Sequence, residues 1–164
     1  MIEIAIDGPA ASGKGALGKK LSDKYNFPYL DTGILYRKVA YELIKNNIKN
    51  SENLEILCCN FAKNLNLKEF KNKNLRTEDV AKLASKIATF PNLRKILNNK
   101  QKEFSDFNKK QFGGCILDGR DIGTKILPNA DFKFFITASI EVRAKRRLLQ
   151  KNISFLHEND EKCM

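Results

Sequence analysis

The sequence predicts an α/β fold, a doubly wound and mostly parallel sheet flanked by helices. Three observations carry this. Short β-branched apolar runs alternate with segments of helical spacing, a Gly-rich turn directly follows the first run, and no internal repeat or long linker interrupts the 164 residues. That length suits one domain around one core, and 42% hydrophobic with 9% aromatic residues is enough apolar material to build it, which excludes a disordered chain.

The elements follow in order. Ile2 to Ile6 is short, apolar and β-branched, as a buried parallel strand should be. Lys14 to Tyr25 reads as a helix with Leu17 and Leu21 on one face, and Phe27 to Leu30 as a brief second strand. From Leu35 the spacing of Tyr36, Val39, Ala40, Leu43 and Ile44 is helical again. Residues 46–75 are rich in Asn and Lys without a clear period and are expected to form an inserted subdomain. Thr77 has the position of an N-cap, with Glu78 and Asp79 suiting the helix dipole and Val80, Leu83, Ala84 and Ile87 forming an apolar stripe. Pro91 separates this helix from another containing Leu93, Ile96 and Leu97. Cys115 to Leu117 and Phe132 to Ile136 are expected as two further buried strands, and a basic helix begins near Ser139.

Thirty Lys and Arg against 19 Asp and Glu leave a formal charge of +11. The lysines are scattered through Asn-rich stretches such as Ile44 to Asn50, whereas a nucleic-acid face would cluster basic residues with aromatics. No nucleic-acid partner is expected. Cys58, Cys59, Cys115 and Cys163 form no metal-binding Cys-x-x-Cys pair, and Cys115 reads as a small buried hydrophobe. His157, the single histidine, falls in a polar tail. The chain opens on a strand pattern and has no apolar stretch of membrane-spanning length. The expectation is a soluble, reduced, cytoplasmic protein without a membrane partner.

Gly8-Pro9-Ala10-Ala11-Ser12-Gly13-Lys14, with Gly15 and Ala16 behind it, lies between the first strand and the first helix. Its glycines let backbone N–H groups turn toward a triphosphate, the helix N-terminus adds positive potential, and Lys14 adds a point charge. Strand, loop and helix at this spacing make residues 8–16 a candidate ATP-binding P-loop, and the fold one of P-loop NTPase type. The general motif places Ser or Thr after the lysine; here Gly15 and Ala16 follow instead. Asp118, ending the apolar run Cys115-Ile116-Leu117, is the candidate metal-side carboxylate, acting through water because Mg²⁺ keeps several of its waters. No Asn-Lys-x-Asp guanine-reading motif occurs, which argues against a GTPase.

Leu30-Asp31-Thr32-Gly33-Ile34-Leu35-Tyr36-Arg37 and Leu117-Asp118-Gly119-Arg120-Asp121-Ile122-Gly123-Thr124, together with Thr77 to Arg94 carrying Phe90-Pro91, resemble bacterial cytidylate kinases, a family of nucleoside monophosphate kinases. The resemblance runs in order from Ile2 to about Arg147. It implies Mg²⁺-dependent transfer of the ATP γ-phosphoryl to CMP or dCMP. It implies that Arg37 and Arg120 clamp the CMP phosphate, that Thr32, Arg94 and Asp121 meet the base, and that Ser85 lies near the ribose. Residues 46–75 become a helical acceptor-side insert. Residues 139–155 become a short lid in which Arg143 and Arg147 join Lys14 and Arg120 in neutralising the transferring charge. The chemistry agrees: guanidinium forks grip phosphate, and cytosine offers amino hydrogens to a carboxylate where uracil presents a carbonyl.

Two departures from the family pattern stand out. Monophosphate kinases commonly carry a hydroxyl residue where this chain has Ala16. The family also continues past the lid with an Arg/Asp-rich segment, a strand and a helix, whereas this chain ends at Met164 after Asn152-Ile153-Ser154-Phe155. On that basis the strand from Phe132 to Ile136 is expected to be an uncovered edge prone to association, in a family otherwise monomeric, and CMP is expected to bind weakly. Alternatives are a nucleotide-binding remnant with little turnover and a P-loop kinase for another small acceptor such as shikimate or a sugar acid; the motif from Asp118 to Thr124 argues against the latter.

Overall fold

The computed structural model describes residues 1–48, 52–67 and 73–149. Parts of the expected insert (49–51 and 68–72), the end of the expected lid (150–155), His157 and Cys163 lie outside the described residues. The elements run β1 (Ile2–Asp7), α1 (Lys14–Tyr25), β2 (Tyr29–Asp31), α2 (Gly33–Lys45), α3 (Leu54–Lys63), a 3₁₀ turn (Lys73–Arg76), α4 (Glu78–Ile87), α5 (Pro91–Phe112), β3 (Gly114–Gly119), a short π-helix (Ile122–Ile126) and β4 (Phe132–Phe135). A last helix, α6, covers residues 140–149.

The four strands are all parallel, in the order β2-β3-β1-β4. β1 pairs with β3 from Ile2 opposite Gly114 to Asp7 opposite Gly119. The loops leaving the C-terminal ends of β1 and β3 therefore emerge side by side, where an open α/β sheet forms its ligand crevice. Alternation along the strands divides the core. Ile4, Ile6 and Ile116 face Leu17 and Leu21 of α1, while Ala5, Cys115 and Leu117 face the cluster filled by α2 to α5. Glu3 fastens α5 to the sheet, accepting from Ser105 Oγ at 2.6 Å and Lys109 Nζ at 2.9 Å.

In the stretch 46–75, expected as a helical insert without a clear period, α3 buries Leu54, Cys58 and Ala62, a stripe whose small residues hide its period. Two expectations are corrected. Thr77 stands at the N-cap position of α4, but its hydroxyl donates to the Asn74 carbonyl at 3.2 Å and caps no helical N–H. β4 is not buried: Phe132, Phe134 and Phe135 are all exposed, because β4 is an edge strand pairing only with β1 among the described residues. No helix among the described residues is long and apolar enough to cross a membrane.

Candidate active site

The loop after β1 is shaped by backbone geometry that its sequence permits. Gly8 has φ +147°, and a Cβ there would lie 2.0 Å from the Ile136 carbonyl oxygen, so only glycine fits. Ala11 (φ 59°) and Gly13 (φ 110°) turn the chain into α1, whose first turn carries no acidic residue to neutralise its N-terminus. Lys14 Nζ donates to the Pro9 carbonyl at 3.0 Å, crossing the loop, and burial lowers its pKa against the opposing pull of Asp118. Ser12 Oγ is buried with no hydrogen-bond partner among the described residues. A loop with a helix N-terminus, a lysine and an orphaned buried hydroxyl is built for an anion that supplies the missing acceptors.

Asp118 joins the two sides of the site. Its carbonyl accepts from the Thr32 N–H at 3.0 Å and from Thr32 Oγ1 at 2.8 Å, while its carboxylate accepts from Tyr29 Oη at 2.8 Å. The residue is only 4% exposed, and burial pushes its carboxyl up to about 6, with the Asp31 charge adding to the effect. Burial and the same carboxylate raise the Tyr29 phenol well above its usual range. Among the described residues no group of three His, Cys, Asp or Glu side chains could cage a metal directly. One buried carboxylate beside a phosphate loop fits a hard cation that keeps its waters and takes its other oxygens from phosphate.

On the acceptor side, Arg94 of α5 donates to Asp121 Oδ2 at 2.9 Å and reaches the Ala88 carbonyl at 3.4 Å, so the two residues expected at the base are paired with each other. Tyr36 lies within the field of that pair, its pKa raised chiefly by burial. Arg37 of α2 donates to the Leu75 carbonyl at 3.1 Å, and burial, then the nearby Arg147 charge, lowers its pKa. Arg120 is exposed beyond β3, close enough to Lys14 to oppose its charge. Ser85 is exposed on α4, its hydroxyl turned back to the Ala81 carbonyl at 3.0 Å. On α6, Arg143 Nε donates to Ala138 O at 3.1 Å, while Arg146 Nη1 donates to the loop carbonyls of Ala11 (3.3 Å) and Ser12 (3.0 Å).

Loop, carboxylate, arginines and α6 therefore converge at one end of the sheet, in an arrangement suited to phosphate-bearing ligands. A sequence model described as cytidylate kinase matches residues 4–164. The chain belongs to the cytidylate kinase family. It is 42% identical to the cytidylate kinase of Bartonella bacilliformis over 98% of this chain and 77% of that protein. Against the cytidylate kinases of Bartonella tribocorum and Methylocella silvestris it is 45% identical, over 88% and 90% of this chain and 64% and 65% of theirs. The chain thus spans about two thirds to three quarters of the length of these relatives.

Within this cytidylate kinase family chain, three groups at the site were not singled out from sequence. Asp7 ends β1 and accepts from the N–H groups of Ile122 and Gly123, each at 2.8 Å, so the strand before the P-loop holds the loop that carries Arg120 and Asp121. Its signal was an acid at the end of an apolar strand, the same signal that identified Asp118. Arg146, rather than Arg143 or Arg147, touches the P-loop; within a run of four cationic residues in five, sequence spacing could not choose among them. Tyr29 was read only as part of a strand.

Proposed function

We propose that the chain is a (d)CMP kinase, moving the γ-phosphoryl of ATP to CMP or dCMP to give ADP and CDP or dCDP. The observation carrying this reading is the shared frame of Asp7 and Asp118: hydrogen bonds accepted by these two residues tie the strands flanking the candidate ATP loop to the loops bearing Thr32, Arg120 and Asp121. Residues 8–16 cradle the triphosphate, with Ser12 Oγ and the α1 N-terminus facing its oxygens and Lys14 leaving Pro9 to meet the β- and γ-phosphates. Arg37 and Arg120 hold the acceptor phosphate in line, Thr32, Arg94 and Asp121 take the base, and Ser85 lies on the ribose side. No general base is required, because the acceptor oxygen is already anionic. Catalysis is then positioning plus charge neutralisation, shared by Lys14, Arg120 and the lid cations Arg143, Arg146 and Arg147. Asp118 would hold Mg²⁺ through water, and the ion would supply further charge neutralisation to the transferring phosphoryl group. Residues 46–75 serve as the acceptor-side insert and 139–155 as a lid, whose closure excludes water.

The test is a coupled assay of ADP release against a panel of nucleoside monophosphates with ATP and Mg²⁺. CMP and dCMP should be the preferred acceptors. ADP release that no monophosphate stimulates would overturn the reading.

A further inference from the structure

The residue after the P-loop lysine is Gly15, where the general motif carries Ser or Thr, and Ala16 behind it has no hydroxyl either. The structure shows what fills that place. A Cβ built on Gly15 would lie 3.5 Å from Tyr29 Oη and 3.6 Å from Asp118 Oδ2, so these two oxygens line the space into which a hydroxyl on residue 15 would project. Tyr29 cannot be there casually. A Cβ on the buried Gly18 would sit 2.5 Å from ring atom Cε2, so α1 is notched by glycine to let the ring lie against it. Like Leu17, Leu21 and Phe27, the ring packs against the cluster of Ile4, Ile6 and Ile116, and its hydroxyl ends 2.8 Å from Asp118 Oδ2.

We propose that Tyr29 is a positioning residue of the metal side, its hydroxyl delivered from β2 in place of the one the P-loop motif carries on the residue after lysine. The inference rests on the kinase reading above. The phenol hydrogen is donated to Asp118, which aims the carboxylate, and the phenol oxygen keeps lone pairs that accept from a water of the Mg²⁺ hydration shell. Gly15 and Tyr29 are then one device: the hydroxyl enters from the sheet instead of the helix, and the helix position is cleared for it.

The test compares wild type, Tyr29→Phe and the double variant Gly15→Ser/Tyr29→Phe as full chains. Mn²⁺ binding to the ATP complex is read by electron paramagnetic resonance, and ATP binding without metal by calorimetry in EDTA. Tyr29→Phe should weaken Mn²⁺ binding about tenfold, the range for loss of an outer-shell partner, and lower kcat with KM for CMP unchanged. Metal-free ATP affinity should stay within about twofold, because the P-loop itself is untouched. Gly15→Ser in that background should restore most of the Mn²⁺ affinity, since the Cβ contacts at Gly15 are ordinary and the phenol oxygen has gone. Unchanged Mn²⁺ affinity in Tyr29→Phe, equal losses with and without metal, or no recovery in the double variant would overturn the proposal while leaving the kinase reading intact. Failure of wild type to bind Mn²⁺ with ATP would overturn both.

Discussion

Asp118 is 4% exposed, and burial holds its carboxyl near 6 against an ordinary value of 3.8. A carboxylic acid whose folded pKa is raised binds its proton more tightly folded than unfolded. Its contribution is therefore most favourable below about 4 and is lost as pH climbs through about 6. Asp118→Asn keeps the acceptor for Tyr29 and removes the desolvated charge. In the absence of nucleotide and Mg²⁺ it should stabilise the protein by about 1–3 kcal/mol at pH 8, a gain that shrinks as pH falls from 6 toward 4. Denaturant melts at several pH values would show it, and a pH-independent difference would contradict it. Lys14→Ala should lower kcat by at least about 10²-fold with little change in Tm, since Lys14, at the start of α1, donates among the described residues to the Pro9 carbonyl alone. Asp121→Asn should narrow the preference for CMP over UMP by about 1–3 kcal/mol, read as the ratio of kcat/KM values. The sequence marks Lys14, Asp118 and Asp121 as candidates because each stands in a short motif beside a strand. Tyr29 and Asp7 were not, because their roles depend on which strands lie adjacent, and no local pattern records that.

At the level of elements, the boundaries set by backbone chemistry were the readable ones. α1 spans Lys14–Tyr25 as expected, opening on a glycine and closing at Asn26 in the left-handed region, which Asn tolerates. α3 was missed because its buried stripe of Leu54, Cys58 and Ala62 sits among Asn and Lys. β4 stands at the edge of the sheet, as the departure from the family pattern implies, but its three phenylalanines, which look buried in sequence, are exposed there. The π-helix Ile122–Ile126 is a separate case, its start held by Asp7 from a different strand. Asp7→Ala leaves those two N–H groups without their acceptor, and charged hydrogen bonds contribute roughly 1.5–3 kcal/mol each. Stability should fall by about 3–6 kcal/mol, the Ile122 and Gly123 amides should exchange faster with solvent, and KM for CMP should rise. Unchanged exchange at those two amides would show that the loop holds its shape without β1.

Across the whole molecule, charges from distant segments are gathered at one place: Lys14 feels Arg120 beside the carboxylates of Asp118, Asp31 and Asp7, and Arg37 feels Arg147 and Arg76 beside Asp31. Polyphosphate ligands should relieve the repulsion among the cations. Saturating ADP with CMP, at about 100 times their dissociation constants, adds about 2.7 kcal/mol per ligand, or roughly 5–10 °C in Tm for a chain of this size. Scanning calorimetry would measure the shift, and its absence would mean that the cations are not a nucleotide site. The separations along the chain have another outcome. Asp7 meets Gly123 across 116 positions, and Ser12 meets Arg146 across 134. Asp7 and Ser12 are synthesised 116 and 134 positions before the groups they meet, which come on the order of ten seconds later at ordinary translation rates. Through that interval the nascent chain carries a glycine-rich loop and the apolar β1 with neither flanking strand in place. Its passage to the native state is governed by the slowest long-range closure, not by the speed of its helices.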